Sequence, residues 1–217
     1  MLIDLSHALS DGLVTYPGLP PVHLGAHLSR EDSRAKYAPG TEFHIAKVEM
    51  VVNSGTYLDT PFHRYPNRMD VAALPLERVA FLPALVVDAT MCGRAVPSSL
   101  FADVDVHGKA VLVRTDWSRH FGTPQYGSGH PFLTLDAATL LLTRGASFVG
   151  IDSLNIDDTS MGAREVHSLL LANDVLIVEH LTNLAALPPG AELTFFAVPV
   201  RVEGAGTFPV RAFGRVG

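Results

Sequence analysis

The densest chemistry in the chain lies between Asn53 and His63, Asn53-Ser-Gly-Thr-Tyr-Leu-Asp-Thr-Pro-Phe-His63. Tyr57 and Asp59 are two residues apart, so in an extended strand they share a face. His63 follows beyond Pro61. A carboxylate and an imidazole at a strand end suit metal ligation or proton transfer. Alone the signal is weak, and a turn capped by Asp59 with His63 in solvent fits the same spacing, so both readings stay open. A second pair is His167 and Glu179. Glu179 follows the buried-type run Val175-Leu-Ile-Val178. A carboxylate beside such a strand needs a partner, or must turn out to water.

These residues need elements to position them. Ala46, Val48, Met50 and Val52 alternate with polar neighbours, the period of a strand. Ala84–Val87, Ala110–Val113, Phe148–Ile151 and Val175–Val178 are short β-branched runs of the buried-strand kind. Phe195–Val202 is another, demoted in part by Pro199. Leu135, Ala138, Leu141 and Leu142 recur at helical spacing between an N-cap at Thr134 and a stop at Gly145. Val166, Leu169 and Leu170 mark a second helix, ended by Asn173. From Ala110 the order is strand, helix, strand, helix, strand, which predicts parallel crossovers. Residues 10–40 are rich in Pro, Gly, His and Ser and read as a long loop region. The expected fold is a single α/β domain, residues 1–217, with a mixed, partly barrel-like sheet and flanking helices.

Composition narrows the function. The 217 residues carry a formal charge of −6, which argues against a nucleic-acid or anionic-membrane partner. A single cysteine, Cys92, excludes a disulfide framework and a Cys-rich zinc module, and reads as an inert small residue. The N-terminus lacks the basic start of a secretory signal. The longest apolar run, Val79–Val87, is far short of the roughly 20 residues of a membrane helix. A cytoplasmic protein acting on a small molecule is expected. Of the ten histidines, His7, His23, His27, His44, His107, His120 and His130 read as loop, surface or core residues. His180 should face away from Glu179 if the strand continues. Trp117, near Phe121 and Tyr126, is a candidate wall for a planar substrate.

The combined pattern resembles the cyclase-like metal-dependent hydrolases that include bacterial kynurenine formamidase (arylformamidase) and isatin hydrolase. Ile3-Asp4-Leu5-Ser6-His7 and Tyr16-Pro17-Gly18 match that family's opening strand and turn. Asn53–His63 matches its signature H-x-G-T-H-x-D-x-P-x-H, apart from Asn53 and Tyr57, which replace histidines. His167 and Glu179, twelve apart, match its helix histidine and strand glutamate. The resemblance implies amide hydrolysis by metal-activated water, with N-formyl-kynurenine as the default substrate and a homo-oligomer, dimer or tetramer. It makes Asp59, His167 and Glu179 metal ligands and His63 the acid/base. Asn53 becomes a possible further ligand or a pocket residue, and Tyr57 a donor to the oxyanion. With two imidazoles replaced, three readings stay open. One divalent ion, zinc or manganese, remains; or a metal-free hydrolase or lyase works through Tyr57 and His63; or the fold binds a small molecule without catalysis. The expectation is at most one ion, with Asn53 and Tyr57 still facing the site.

Overall fold

The computed structural model describes residues 1–188 and 190–217. Among these residues thirteen strands and three α-helices follow in chain order. The first half holds β1 (Leu2–Asp4), β2 (His23–Leu28), α1 (Arg30–Ser33), β3 (Ile45–Glu49), β4 (Tyr57–Asp59), β5 (Leu82–Asp88) and β6 (Ala95–Val96). The middle holds β7 (Ala110–Arg114), β8 (Phe132–Leu133), α2 (Leu135–Thr143), β9 (Phe148–Ile151), α3 (Glu165–Ala172) and β10 (Leu176–Glu179). The last strands are β11 (Leu193–Phe196), β12 (Thr207–Pro209) and β13 (Phe213–Val216).

Nine strands form one curled sheet in the order β1-β13-β11-β5-β7-β9-β10-β4-β12. Its centre, β5-β7-β9-β10, is parallel, as the predicted crossovers require. Antiparallel strands extend it on both sides, so the sheet is mixed. The parallel strands are apolar at nearly every position because both faces are covered. One face packs Val111, Val149 and Ile177 against α2 and α3. The other packs Leu58, Leu112, Phe148 and Val178 against the curled strands, including Phe195. The Thr134 hydroxyl caps α2 by accepting the Ala137 N–H, and Gly145 ends it at φ 78°.

Three expectations need correction. Residues 10–40 are not all loop, because they contain β2 and α1. The interspersed Gly25, His23 and His27 hide the strand pattern there. The strand expected over Ala46–Val52 ends at Glu49 and pairs with β2 outside the main sheet. The strand expected over Phe195–Val202 starts at Leu193 and stops at Phe196; near Pro199 only an isolated bridge to Val210 remains. The β2–β3 ribbon keeps the alternation without burial. Leu24 pairs with Val48 and Ala26 with Ala46 on one apolar face, while His23–Glu49 and Gly25–Lys47 form the polar face. Both faces are exposed, Val48 at 53%.

Candidate metal centre and its cavity

Register assembles the floor of the site. β4 and β10 are antiparallel, with Tyr57 opposite Glu179 and Asp59 opposite Ile177. Residues directly opposite share a face, so Tyr57, Asp59 and Glu179 project together while Leu58 enters the core behind. β12 flanks β4 on its other side and places Thr207 opposite Asp59. α3 lies over this face and lowers His167 onto it. His167 Nε2 stands 3.6 Å from Asp59 Oδ2 and 3.5 Å from Glu179 Oε1. All three residues are buried. Among the described residues, no other His/Cys/Asp/Glu group of three or more brings its ligand atoms within 4.8 Å of one another.

Each floor residue is held from behind. The other nitrogen of His167, Nδ1, lies 2.6 Å from Asp157 Oδ2. Asp157 also accepts the N–H groups of Val166 and His167, at 2.7 and 3.1 Å, and so anchors the start of α3. Glu179 Oε1 accepts the Ile156 N–H at 2.7 Å, and its Oε2 accepts the Tyr57 hydroxyl at 2.8 Å. One oxygen of Asp59 accepts the Thr207 hydroxyl. The other, Oδ2, is buried with no hydrogen-bond partner among the described residues.

Burial and crowding shift these groups. Burial raises the Glu179 carboxyl to about 7, with Asp59 adding to the rise and His167 opposing it. Burial disfavours the His167 cation, but Glu179, Asp157 and Asp59 outweigh it and hold the imidazole well above its ordinary value. Burial would also raise Asp59, yet the nearby imidazoles and the Thr207 hydroxyl pull it below the usual carboxylate range. Tyr57 is pushed well above the ordinary phenol value by burial and by the charges of Glu179 and Asp59. It is therefore a neutral donor.

This geometry fits a divalent cation. With Nδ1–H given to Asp157, the His167 Nε2 points at two further carboxylates, and a divalent cation that displaced its proton would find one nitrogen and two oxygens converging on it. The 3.5 and 3.6 Å separations are long for charge-assisted hydrogen bonds. They are close to the roughly 3.4 Å between tetrahedral ligands at ordinary zinc bond lengths. The orphaned Asp59 Oδ2 is a free ligand atom in the same place.

A cavity of about 320 Å³ opens above this floor, and Tyr16, Leu19, Asn53, Tyr57, His63, Arg64, Asn155, Arg164, His167 and Glu179 line it. Asn53 and Tyr57 thus face the site, as expected from the unchanged turn at Gly55. That glycine has φ 68°, and a Cβ there would meet Leu9 Cδ2 at 2.7 Å. His63 ends a short helical turn begun by Pro61, and its Nδ1 lies 2.9 Å from the Thr207 hydroxyl. That hydroxyl donates to Asp59, so it accepts from His63 Nδ1–H, which in the neutral ring makes Nε2 the acceptor. Gly206 permits the approach, since a Cβ there would lie 2.4 Å from the His63 backbone nitrogen.

Two expectations change here. Trp117 does not line the cavity. Asp116 turns the chain at φ 59°, and the indole N–H is committed to the Tyr126 carbonyl at 3.0 Å. His180 does not turn away to the opposite face of a continuing strand. β10 stops at Glu179, and His180 adopts φ 57°, fully buried, with Nδ1 2.8 Å from the Tyr126 hydroxyl and its ring 4.8 Å from that of Tyr57. Sequence reading missed Asp157, Thr207 and Arg164. An acidic residue ten before the helix histidine was the available signal for Asp157; nothing local marked Thr207.

A curled half-barrel that sinks one histidine and two carboxylates under a helix defines an α/β protein with a buried candidate metal centre. Residues 3–158 match the model of the family described as "Putative cyclase", and the chain belongs to that family. It is 25% identical over 211 residues to kynurenine formamidase of Bacillus mycoides (strain KBAB4), covering 97% of this chain and 95% of the relative. An isatin hydrolase bound to the product analogue thioisatinate superposes with TM-score 0.85 at 21% identity, over 98% of this chain and 91% of that one. A potential metal-dependent hydrolase with cyclase activity superposes with TM-score 0.79 at 22% identity, over 99% and 96%. No helix among the described residues is long and apolar enough to cross a membrane.

Proposed function

We propose that this chain hydrolyses an amide-type C–N bond of a small aromatic substrate, with N-formyl-kynurenine as the reference compound. The observation that carries the reading is the pairing of an oriented imidazole, His167, with the unpartnered buried Asp59 Oδ2. Asp59, His167 and Glu179 would hold one divalent ion, which supplies Lewis-acid polarisation of a carbonyl and lowers the pKa of a water. Two carboxylates among three ligands suit manganese as well as zinc.

The protein's own groups supply the rest. His63 gives its Nδ1–H to Thr207, so Nε2 accepts a proton from the attacking water and returns it to the leaving nitrogen. Water and amide thus yield an acid and an amine. The Tyr57 hydroxyl is spent on Glu179, not on the expected oxyanion, and keeps that carboxylate aimed at the centre. Asn53, beside it, offers the cavity a neutral amide. The homo-oligomer has one supporting surface, the exposed apolar face of the β2–β3 ribbon, because an isolated two-stranded ribbon is marginal alone. Sedimentation should find a species larger than one copy.

Formate release from N-formyl-kynurenine tests the reading. Chelation should abolish it, and zinc or manganese should restore it. His63→Gln should lower kcat by about a hundred- to ten-thousand-fold without changing ion content. Metal-loaded protein that releases no formate from this compound or from formanilide would sink the hydrolase assignment.

A further inference from the structure

The cavity has an acidic floor and a basic rim. Arg64 and Arg164 both line it. Among the described residues neither has a carboxylate within the 4.0 Å of an ion pair, whereas Arg68, Arg94, Arg114 and Arg211 each do. The acids nearest in sequence are already engaged. Asp158 pairs with Arg94 at 3.1 Å, and Asp157 with His167.

The rim is also held in place. Arg64 Nε donates to the Ser168 hydroxyl at 3.2 Å, and that hydroxyl donates to the Arg164 carbonyl at 2.8 Å. One serine on α3 thus ties the two arginines together. The two terminal nitrogens of Arg64 make no hydrogen bond among the described residues. Arg164 precedes α3 at φ 50°, a left-handed conformation costly for a non-glycine residue. Its guanidinium rests on uncharged acceptors, the carbonyls of Asp158 and Met161 and the hydroxyl of Tyr16. None of these neutralises it. A divalent ion would balance Asp59 and Glu179 at the floor, which leaves the two guanidiniums as the uncompensated charge of the cavity.

We infer that the cavity selects substrates bearing a carboxylate, which Arg64 and Arg164 receive at the rim while the scissile amide lies over Asp59, His167 and Glu179. Guanidinium forks match carboxylate geometry, and the two at the rim are the charge of the cavity that an anion can still neutralise. This inference rests on the hydrolase reading of the same site and names its substrate class. The remote anion acts through binding, so its effect falls mainly on KM.

The test compares desamino-N-formyl-kynurenine with its primary amide, compounds that differ only in that charge. The parent should favour the carboxylate by about tenfold or more in kcat/KM, and added salt should raise KM for the carboxylate alone. Arg64→Gln with Arg164→Gln should bring the ratio between the two compounds toward one, and Arg164→Lys should restore part of it. Calorimetry on the two amine products, which need no turnover, separates the readings. Tighter binding of the carboxylate product that depends on the arginines supports the rim even if neither amide is hydrolysed; the hydrolase reading alone would then fail. Equal handling of the two compounds, or a loss of the same factor for both in the arginine variants, would overturn the inference.

Discussion

At the cavity floor, Asp59, His167 and Glu179 come from two paired strands and a helix, and each is buried and fixed by a hydrogen bond from behind. At the rim, Asn53, His63, Arg64 and Arg164 come from turns and keep part of their surface in solvent. Side chains on packed elements hold a geometry to fractions of an ångström, whereas turn residues tolerate exchange. Of the two positions where the resemblance would place imidazoles, Asn53 sits at the rim, whereas Tyr57 stands on the floor strand β4, buried and hydrogen-bonded to Glu179. Exchange has thus reached one floor position, while Asp59, His167 and Glu179 remain.

This contrast can be broken most severely at the floor. Asp59→Asn removes the one ligand oxygen without another partner. Ion affinity should fall by more than about 100-fold, the upper range for outer partners, and hydrolysis should fall to background; metal analysis after dialysis reads the first effect. Asp157→Asn leaves all three ligands but releases the imidazole behind them. It should weaken the ion by about 10- to 100-fold, measured by competition with a chelator, while far-ultraviolet circular dichroism stays unchanged. Asn53→His with Tyr57→His places one imidazole at the rim and one on the floor. Zinc affinity should rise on the order of tenfold, seen in equilibrium dialysis; an unchanged value would mean that these side chains no longer reach the centre.

Floor and rim also differ in how far the amino-acid order discloses them. Central strands and crossover helices are local patterns, and β9 coincides with its predicted range because Phe148–Ile151 is buried on both faces. The floor follows from that frame, since strand alternation puts Tyr57 and Asp59 together and a parallel strand end places Glu179. The rim depends on chain returns that no local pattern encodes. Thr207 reaches Asp59 and His63 across nearly 150 residues. His180 changes direction through a single left-handed residue, and Trp117 is drawn away by one such residue before it. The ribbon of β2 and β3 misleads for a different reason. Its alternation is genuine, but the apolar face that the alternation creates stays exposed among the described residues.

Asp59, His167 and Glu179 are proposed to hold a single cation. Calorimetric titration of the ion-free protein with zinc and manganese at pH 6, 7 and 8 tests it most directly. Without the ion, Glu179 at about 7 and His167 well above its ordinary value hold protons that the cation must displace. Affinity should therefore rise with pH across this range, by up to about tenfold per unit for each proton displaced. The heat should vary with buffer ionisation enthalpy as protons leave. One ion per chain, protons released on binding, and no binding heat in Asp59→Asn are expected; two tightly held ions, or an affinity indifferent to pH and to Asp59, would rule out such a centre.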